Sequence, residues 1–169
     1  MGGKLFDTEP VKRENVESIA KSFIRAIKAT DYEYHITGSY RRGASICGDI
    51  EIVFVAENAE AEAKLHNNIG TQIGFLQSRF GPKMSGRYGC KQFDLHIARP
   101  HELGAMLLHT TGSYRFNIYM RQCAQARGWK LNQYGMYHGG IPVVQTREEK
   151  TFFEMLNIEY REPSNRSIV

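Results

Sequence analysis

The chain has 169 residues, of which 41% are hydrophobic and 24% charged, with a net charge of +4. That is an ordinary globular composition with a mild lean toward a polyanionic partner, and it suits one compact unit or two small lobes. No apolar run of about 18 residues exists, so no transmembrane helix or membrane partner is expected, and the opening MGGKLFDTEP lacks a signal peptide's apolar centre. The cysteines, Cys47, Cys90 and Cys123, are far apart with no CxxC spacing, which points to a reducing compartment and away from zinc.

In chain order, residues 8–29 are expected to form a helix with Thr8 as its cap and Pro10 in its first turn. Val16, Ile19, Ala20, Phe23, Ile24 and Ile27 recur at helical spacing and make one apolar stripe. The alternation of Tyr34 and Ile36 predicts a strand over 33–37, a short helix starts at Ser39, and a second strand covers 49–56. Residues 58–80 read as a long amphipathic helix with Ala61, Leu65, Ile69, Ile73, Leu76 and Phe80 on one side. Gly70 marks a break within it, and Gly81-Pro82 its end. A hairpin over 83–98 turns near Tyr88-Gly89, with Phe93, Leu95 and Ile97 alternating against Gln92, Asp94 and His96. His96 is expected to be a surface or internally satisfied side chain.

Past Pro100, residues 102–109 form a helix. Ser113 caps another that ends at Gly128, burying Phe116, Met120, Cys123 and Ala124 and leaving Arg115, Asn117, Arg121 and Arg127 off the stripe. Residues 129–144 read as a hairpin turning at Gly139-Gly140. Thr146 and Glu149 have capping-box spacing ahead of a last helix whose apolar face is Phe152, Phe153 and Leu156.

The chemistry concentrates in GSYRRGASICGDIEIVFV, residues 38–55. Gly38-Ser39 follows a strand and opens a short helix, where free backbone N–H groups attract phosphate. Arg41 and Arg42 add guanidinium forks, and Gly48 lets the backbone approach an anion. Asp49 and Glu51 are two residues apart on a strand and share a face. Paired carboxylates beside phosphates suit Mg2+. Asp94, an acid between two apolar residues on a later strand, is the candidate for a third.

These motifs resemble the nucleotidyltransferase superfamily. The form G-S-Y-R-R-G-A with G-D-x-acid-x-V resembles the family X, DNA polymerase beta-like, DNA polymerases in particular. TGSYRFNIYMRQCAQA is similar to that family's thumb helix, KLNQYGMY to the segment after it, especially in very small viral members, and YREP to its terminal stretch. The resemblance runs from about Glu33 to Arg166 and implies an α+β fold: a nucleotidyltransferase palm with a mixed or antiparallel sheet backed by helices over 1–105, and a small α+β thumb-like, nucleotide-selecting subdomain over 106–169.

It further implies that Asp49, Glu51 and Asp94 are the catalytic, metal-binding residues for two Mg2+ ions, with Mn2+ able to substitute. Gly38, Ser39, Arg42 and Gly48 would bind the triphosphate, and His109, Thr110, Gly112, Tyr114, Asn117 and Arg121 the nascent base pair and its sugar. Arg115, Arg121, Arg127 and Lys130 are the candidates for DNA contact. The implied partners are a DNA template-primer or gapped duplex and a nucleoside triphosphate, and the protein would be a monomer, cytoplasmic or, if viral, virion-associated.

Three positions depart from the family pattern. Glu51 stands where aspartate is usual, His109-Thr110 where the family has tyrosine-phenylalanine, and Gln92 where it has an arginine. The longer Glu51 arm bears on a cation with near-ideal octahedral demands at about 2.0 Å. The His109-Thr110 pair predicts weak discrimination between ribo- and deoxyribonucleotides. The leading expectation is a template-directed DNA polymerase acting in gap-filling repair. The alternatives are a template-independent or non-DNA nucleotidyltransferase, and a catalytically weak nucleic-acid-binding module.

Overall fold

The computed structural model describes residues 8–71, 76–77 and 83–167. The chain folds as two compact units: residues up to Ile36 together with Ala44–Ile97, and Thr37–Gly43 together with Ala98 onward. No helix among the described residues is long and apolar enough to cross a membrane.

The first unit is built on a five-stranded sheet in the order β2-β4-β7-β6-β5. Its strands are β2 (Glu33–Ile36), β4 (Ile50–Val55), β5 (Leu76–Gln77), β6 (Met84–Tyr88) and β7 (Lys91–Ala98). β2 runs antiparallel to β4, pairing Ile36 with Ile52, and β6 antiparallel to β7, pairing Ser85 with Asp94. A separate two-stranded ribbon pairs β1 (Val11–Lys12) with β3 (Ile46–Cys47). Among the described residues, this unit holds the helices α1 (Arg13–Ala26) and α3 (Ala59–Gly70). Phe23 of α1 lies with its ring centroid 4.4 Å from that of Phe93, so the apolar face of β7 packs on the helix stripe of Val16, Ala20, Phe23 and Ile24.

Two expectations fail here for physical reasons. The first helix starts at Arg13 and not at Thr8, because the preceding backbone is engaged elsewhere: Glu9 N–H donates to Cys90 O at 3.0 Å, and Val11–Lys12 are ladder residues of β1. Thr8 is buried and caps nothing in α1. The helix predicted over 58–80 ends at Gly70, with Asn58 accepting from Ala61 N–H at its start, and Leu76–Gln77 form an edge strand on β6. Glycine is a poor interior helix residue, and here the break expected at Gly70 is a stop. Ile73, Phe80 and Gly81-Pro82 lie outside the described residues.

The second unit holds α2 (Gly38–Arg41), α4 (Leu103–Thr111), α5 (Tyr114–Gln125), α6 (Lys150–Met155) and a three-stranded antiparallel sheet of β8 (Lys130–Asn132), β9 (Gly135–His138) and β10 (Ile141–Val144), in the order β10-β9-β8. The predicted hairpin is therefore a three-strand meander. Gly139 and Gly140, at φ of 55° and 83°, form the β9–β10 turn, a conformation that favours glycine. Ser113 caps α5, accepting from Phe116 N–H, and α5 ends at Gln125, before Gly128. Phe116, Met120, Ala124, Leu131, Met136, Phe152, Phe153 and Leu156 make one buried cluster. Gly104 permits the close approach of α4 to the 146–148 backbone: a Cβ there would sit 2.7 Å from Thr146 O, and the Gly104 N–H donates to that oxygen.

The capping box expected at Thr146 and Glu149 does not form. α6 begins at Lys150 with no side-chain cap, and Thr146 Oγ1 accepts from Glu148 N–H instead. Glu149 is 6% exposed and takes two arginines. Arg41 meets it at 3.2 and 3.0 Å, and Arg166 Nη1 binds its Oε1. Arg166 is fully buried, donates Nε–H to Arg161 O at 2.9 Å, and lies over the rings of Phe116, Phe153 and Tyr160. Two charge-assisted contacts and three aromatic faces outweigh anything a capping glutamate would gain.

Candidate active site

In the first unit, strand alternation puts acidic side chains on one side of neighbouring strands. Along β4, Ile50 and Ile52 occupy one face and Glu51 the other, with Asp49 just before the strand and in phase with Glu51. β7 lies beside β4, and its Phe93 and Leu95 face opposite to Asp94 and His96. His96 Nε2 and Glu51 Oε1 are 3.1 Å apart, which ties the polar faces of the two strands together. His96 is 6% exposed, so it is internally satisfied and part of the acidic cluster, not a surface residue.

Asp94 is 5% exposed and only half satisfied: Oδ2 meets Lys83 Nζ at 2.5 Å, while Oδ1 is buried with no hydrogen-bond partner. Burial pushes the Asp49 carboxyl up to about 6, with the charges of Asp94 and Glu51 adding to the rise and Lys83 opposing it. Burial alone would lower the Lys83 pKa, but its contact with Asp94 and the fields of Asp94, Glu51 and Asp49 outweigh that and hold it above the usual lysine value. The cluster is thus short of positive charge.

These observations fit a hard divalent cation in donor chemistry: carboxylate oxygens only, one of them buried and unpartnered. They do not form a closed set of ligands, since among the described residues no three His, Cys, Asp or Glu side chains converge as a metal-holding group. Lys83 and His96 hold two of the acids instead.

Gly48 belongs to the first unit and is exposed, and a Cβ there would meet nothing within 4 Å, so packing does not account for the glycine. Gly38 and Ser39 begin the single turn of α2 in the second unit, where Thr37 gives no side-chain cap. Arg42 Nη1 donates to Thr111 O at 2.6 Å, and its Nε is buried without a partner.

Elsewhere in this unit, Asn117 Nδ2 donates to His109 O at 2.7 Å, and Arg121 lies 3.3 Å from His109 Nδ1. Thr110 is buried with its hydroxyl donating to Met106 O, and Gly112 joins Ser113 by a cis peptide. Tyr114 is 80% exposed, and Arg115, Arg121, Arg127 and Lys130 are all exposed.

Sequence reasoning missed Lys83 as a member of the acidic cluster, and Glu149 and Arg166 as a buried charge pair. The Lys83 signal lay in hairpin register: Met84 pairs with Leu95, so the residue before it falls on the Asp94–His96 side. Nothing local announced Glu149, whose partners are 17 and 108 residues away.

The profile described as DNA polymerase beta palm matches residues 11–79, and that of the DNA polymerase beta thumb residues 106–167. DNA polymerase IV of Saccharomyces cerevisiae is 37% identical over 83 residues, 49% of this chain and 14% of that protein. DNA polymerase lambda of Rattus norvegicus is 26% identical over 158 residues, 76% of this chain and 28% of its own length. Repair DNA polymerase X of African swine fever virus is 27% identical over 140 residues, covering 76% of this chain and 78% of the viral protein. The chain thus spans under a third of the two cellular polymerases. In structure it is similar to Leishmania infantum polymerase beta, with a TM-score of 0.74 at 20% identity over 95% of this chain and 77% of the other. With a palm and a thumb match in consecutive order across most of its length and the same α+β architecture, the chain belongs to the family X DNA polymerases.

Proposed function

We propose that this protein is a template-directed DNA polymerase that adds nucleotides to a primer 3′-hydroxyl, with a catalytic palm over residues 1–105 and a nucleotide-selecting part over 106–169. The observation that carries the reading is the electrostatics of the acidic cluster: Asp49 is pushed up to about 6 by burial and by Asp94 and Glu51, and Asp94 keeps a buried oxygen unpartnered. Asp49, Glu51 and Asp94 would hold Mg2+ or Mn2+, which when bound lowers the pKa of the primer hydroxyl and neutralises charge on the triphosphate and departing pyrophosphate. Asp94, fixed by its burial on β7, would orient the primer end. Glu51, already tethered by His96, would turn its longer arm between that nitrogen and the substrate side.

In the second unit, Ser39 and Arg42 would take triphosphate oxygens; Arg42 is braced for this by its bond to Thr111 O. His109, Thr110, Gly112, Tyr114 and Asn117 would face the incoming nucleotide, and Arg115, Arg121, Arg127 and Lys130 the phosphates of the duplex. Neither tyrosine nor phenylalanine stands at 109 or 110 and the Thr110 hydroxyl is turned back into its own helix, which supports weak selection against a 2′-hydroxyl. Repair is the role we assign, in keeping with the viral relative, a repair DNA polymerase X, and the filling of gaps is the form of it that the sequence resemblance leads us to propose.

Primer extension on matched templates, with dNTP and NTP and with Mg2+ and Mn2+, tests all of this at once. Incorporation dictated by the template base supports the reading. Untemplated addition would move the protein to another nucleotidyltransferase class, and DNA binding without extension would make it a binding module.

A further inference from the structure

We propose that Lys83 is a built-in counter-cation of the acidic cluster, one that must release Asp94 before a divalent ion can be held there. The inference rests on the metal-binding reading of Asp49, Glu51 and Asp94 given above and adds a residue that competes with the metal for them.

Three observations carry it. The first is occupancy: Lys83 Nζ sits on Asp94 Oδ2, and no ligand set for an ion converges among the described residues while it does so. The second is insufficiency. A single ammonium leaves Asp94 Oδ1 buried and unpartnered, and an unsatisfied buried oxygen of a charged carboxylate is costly. One positive charge against three acids leaves the cluster short by more than one. The third is a way out. The Lys83 side chain is 40% exposed whereas Asp94 is 7% exposed, so the ammonium can swing into water on its flexible stem while the carboxylate stays where the strand puts it. His96, which holds Glu51, is 7% exposed and has no comparable exit. Lysine therefore fills the site when no ion is present, keeps one buried and two half-buried acids from repelling one another unopposed, and lowers the apparent affinity for metal by the fraction of time it stays bound.

The test uses the full chain stripped with EDTA and titrated with Mn2+ alone, without DNA or nucleotide, reading free Mn2+ by electron paramagnetic resonance. Lys83→Gln is expected to bind Mn2+ about tenfold tighter than the unaltered protein, because one competing unit charge is gone. Lys83→Arg, which keeps the charge, is expected to show no such gain. In the unaltered protein, saturating Mn2+ is expected to raise the acylation rate of Lys83 several-fold, read by peptide mass spectrometry; a lysine of purely structural role would not respond. If Lys83→Gln is folded by circular dichroism yet binds Mn2+ no tighter, the inference is overturned and the metal-binding reading stands. If neither protein binds Mn2+ saturably, the metal-binding reading falls and takes the inference with it. Should Lys83→Gln fail to fold, the acylation experiment decides alone, and a Lys83 rate unmoved by Mn2+ overturns the proposal.

Discussion

Among the described residues each unit holds a cluster of charges around a buried acid, Asp94 in the first and Glu149 in the second, and the two are built on opposite plans. In the second unit one acid, Glu149, is outnumbered by two arginines, Arg41 and Arg166, with aromatic rings and a backbone carbonyl around Arg166, whose Nη2 is buried without a hydrogen-bond partner. In the first unit three acids face one lysine and one histidine, and a carboxylate oxygen is left over. Each network keeps one buried atom without a partner, so the difference lies in charge: cations in excess of the acid brace a structure, whereas acids in excess of the cation store a demand for a positive ligand. The same kinds of side chain thus brace one unit and prime the other.

Removing a carboxylate should separate the two plans most sharply. Asp94→Asn is expected to lower primer extension by about a thousandfold or more while the thermal transition hardly moves, because the amide keeps the shape and sheds a charge the cluster has in excess. Near-normal extension by this variant would remove Asp94 from the chemistry. The reverse split is expected for Glu149→Ala, which strands two guanidinium groups in the second unit. Its cost is about 3–5 kcal/mol in urea unfolding, and a smaller loss would mean that the arginines find other partners.

A third effect concerns pH. A carboxyl raised to about 6 binds its proton more tightly folded than unfolded, so folding takes up a proton between about 4, the ordinary aspartate value, and about 6. The contribution of Asp49 is present in full below that window and is lost as pH rises through it. In EDTA, stability is expected to fall by about 2 kcal/mol or less over the window, and Asp49→Asn should flatten the slope; an unchanged slope would detach the effect from Asp49. The smallest expected change is Ser113→Ala. It loses the α5 cap and the hydroxyl bond to Arg166 O at 2.8 Å, for about 1 kcal/mol in the same unfolding assay.

Much of this was legible in the residue order because strand periodicity is local. Alternation around Glu51 and Asp94 fixed which side chains share a face, and the cap at Ser113 with the stripe of Phe116, Met120 and Ala124 placed α5. What escaped was set by distant partners. A helix over 8–12 was forfeited to backbone bonds with Cys90 and to pairing with β3, and a capping box at Thr146 was forfeited to Arg41 and Arg166. His96 looked like an ordinary strand residue until β7 was laid beside β4, and Lys83 until the hairpin register was known. Each miss is a case in which a tertiary charge or a ladder outbid a local preference.

The stretch Thr37–Gly43 leaves the first unit, joins the second and hands the chain back. No single cut in the gene therefore yields either unit whole. A fragment stopping near residue 97 would carry Arg41 and Arg42 without Thr111 or Glu149, and one starting there would keep Arg166 but lack Arg41, one of the two arginines that neutralise Glu149. Grafting the thumb-like part onto a foreign palm is then a task for a circularly permuted or split design, in which that short insert travels with its hosts.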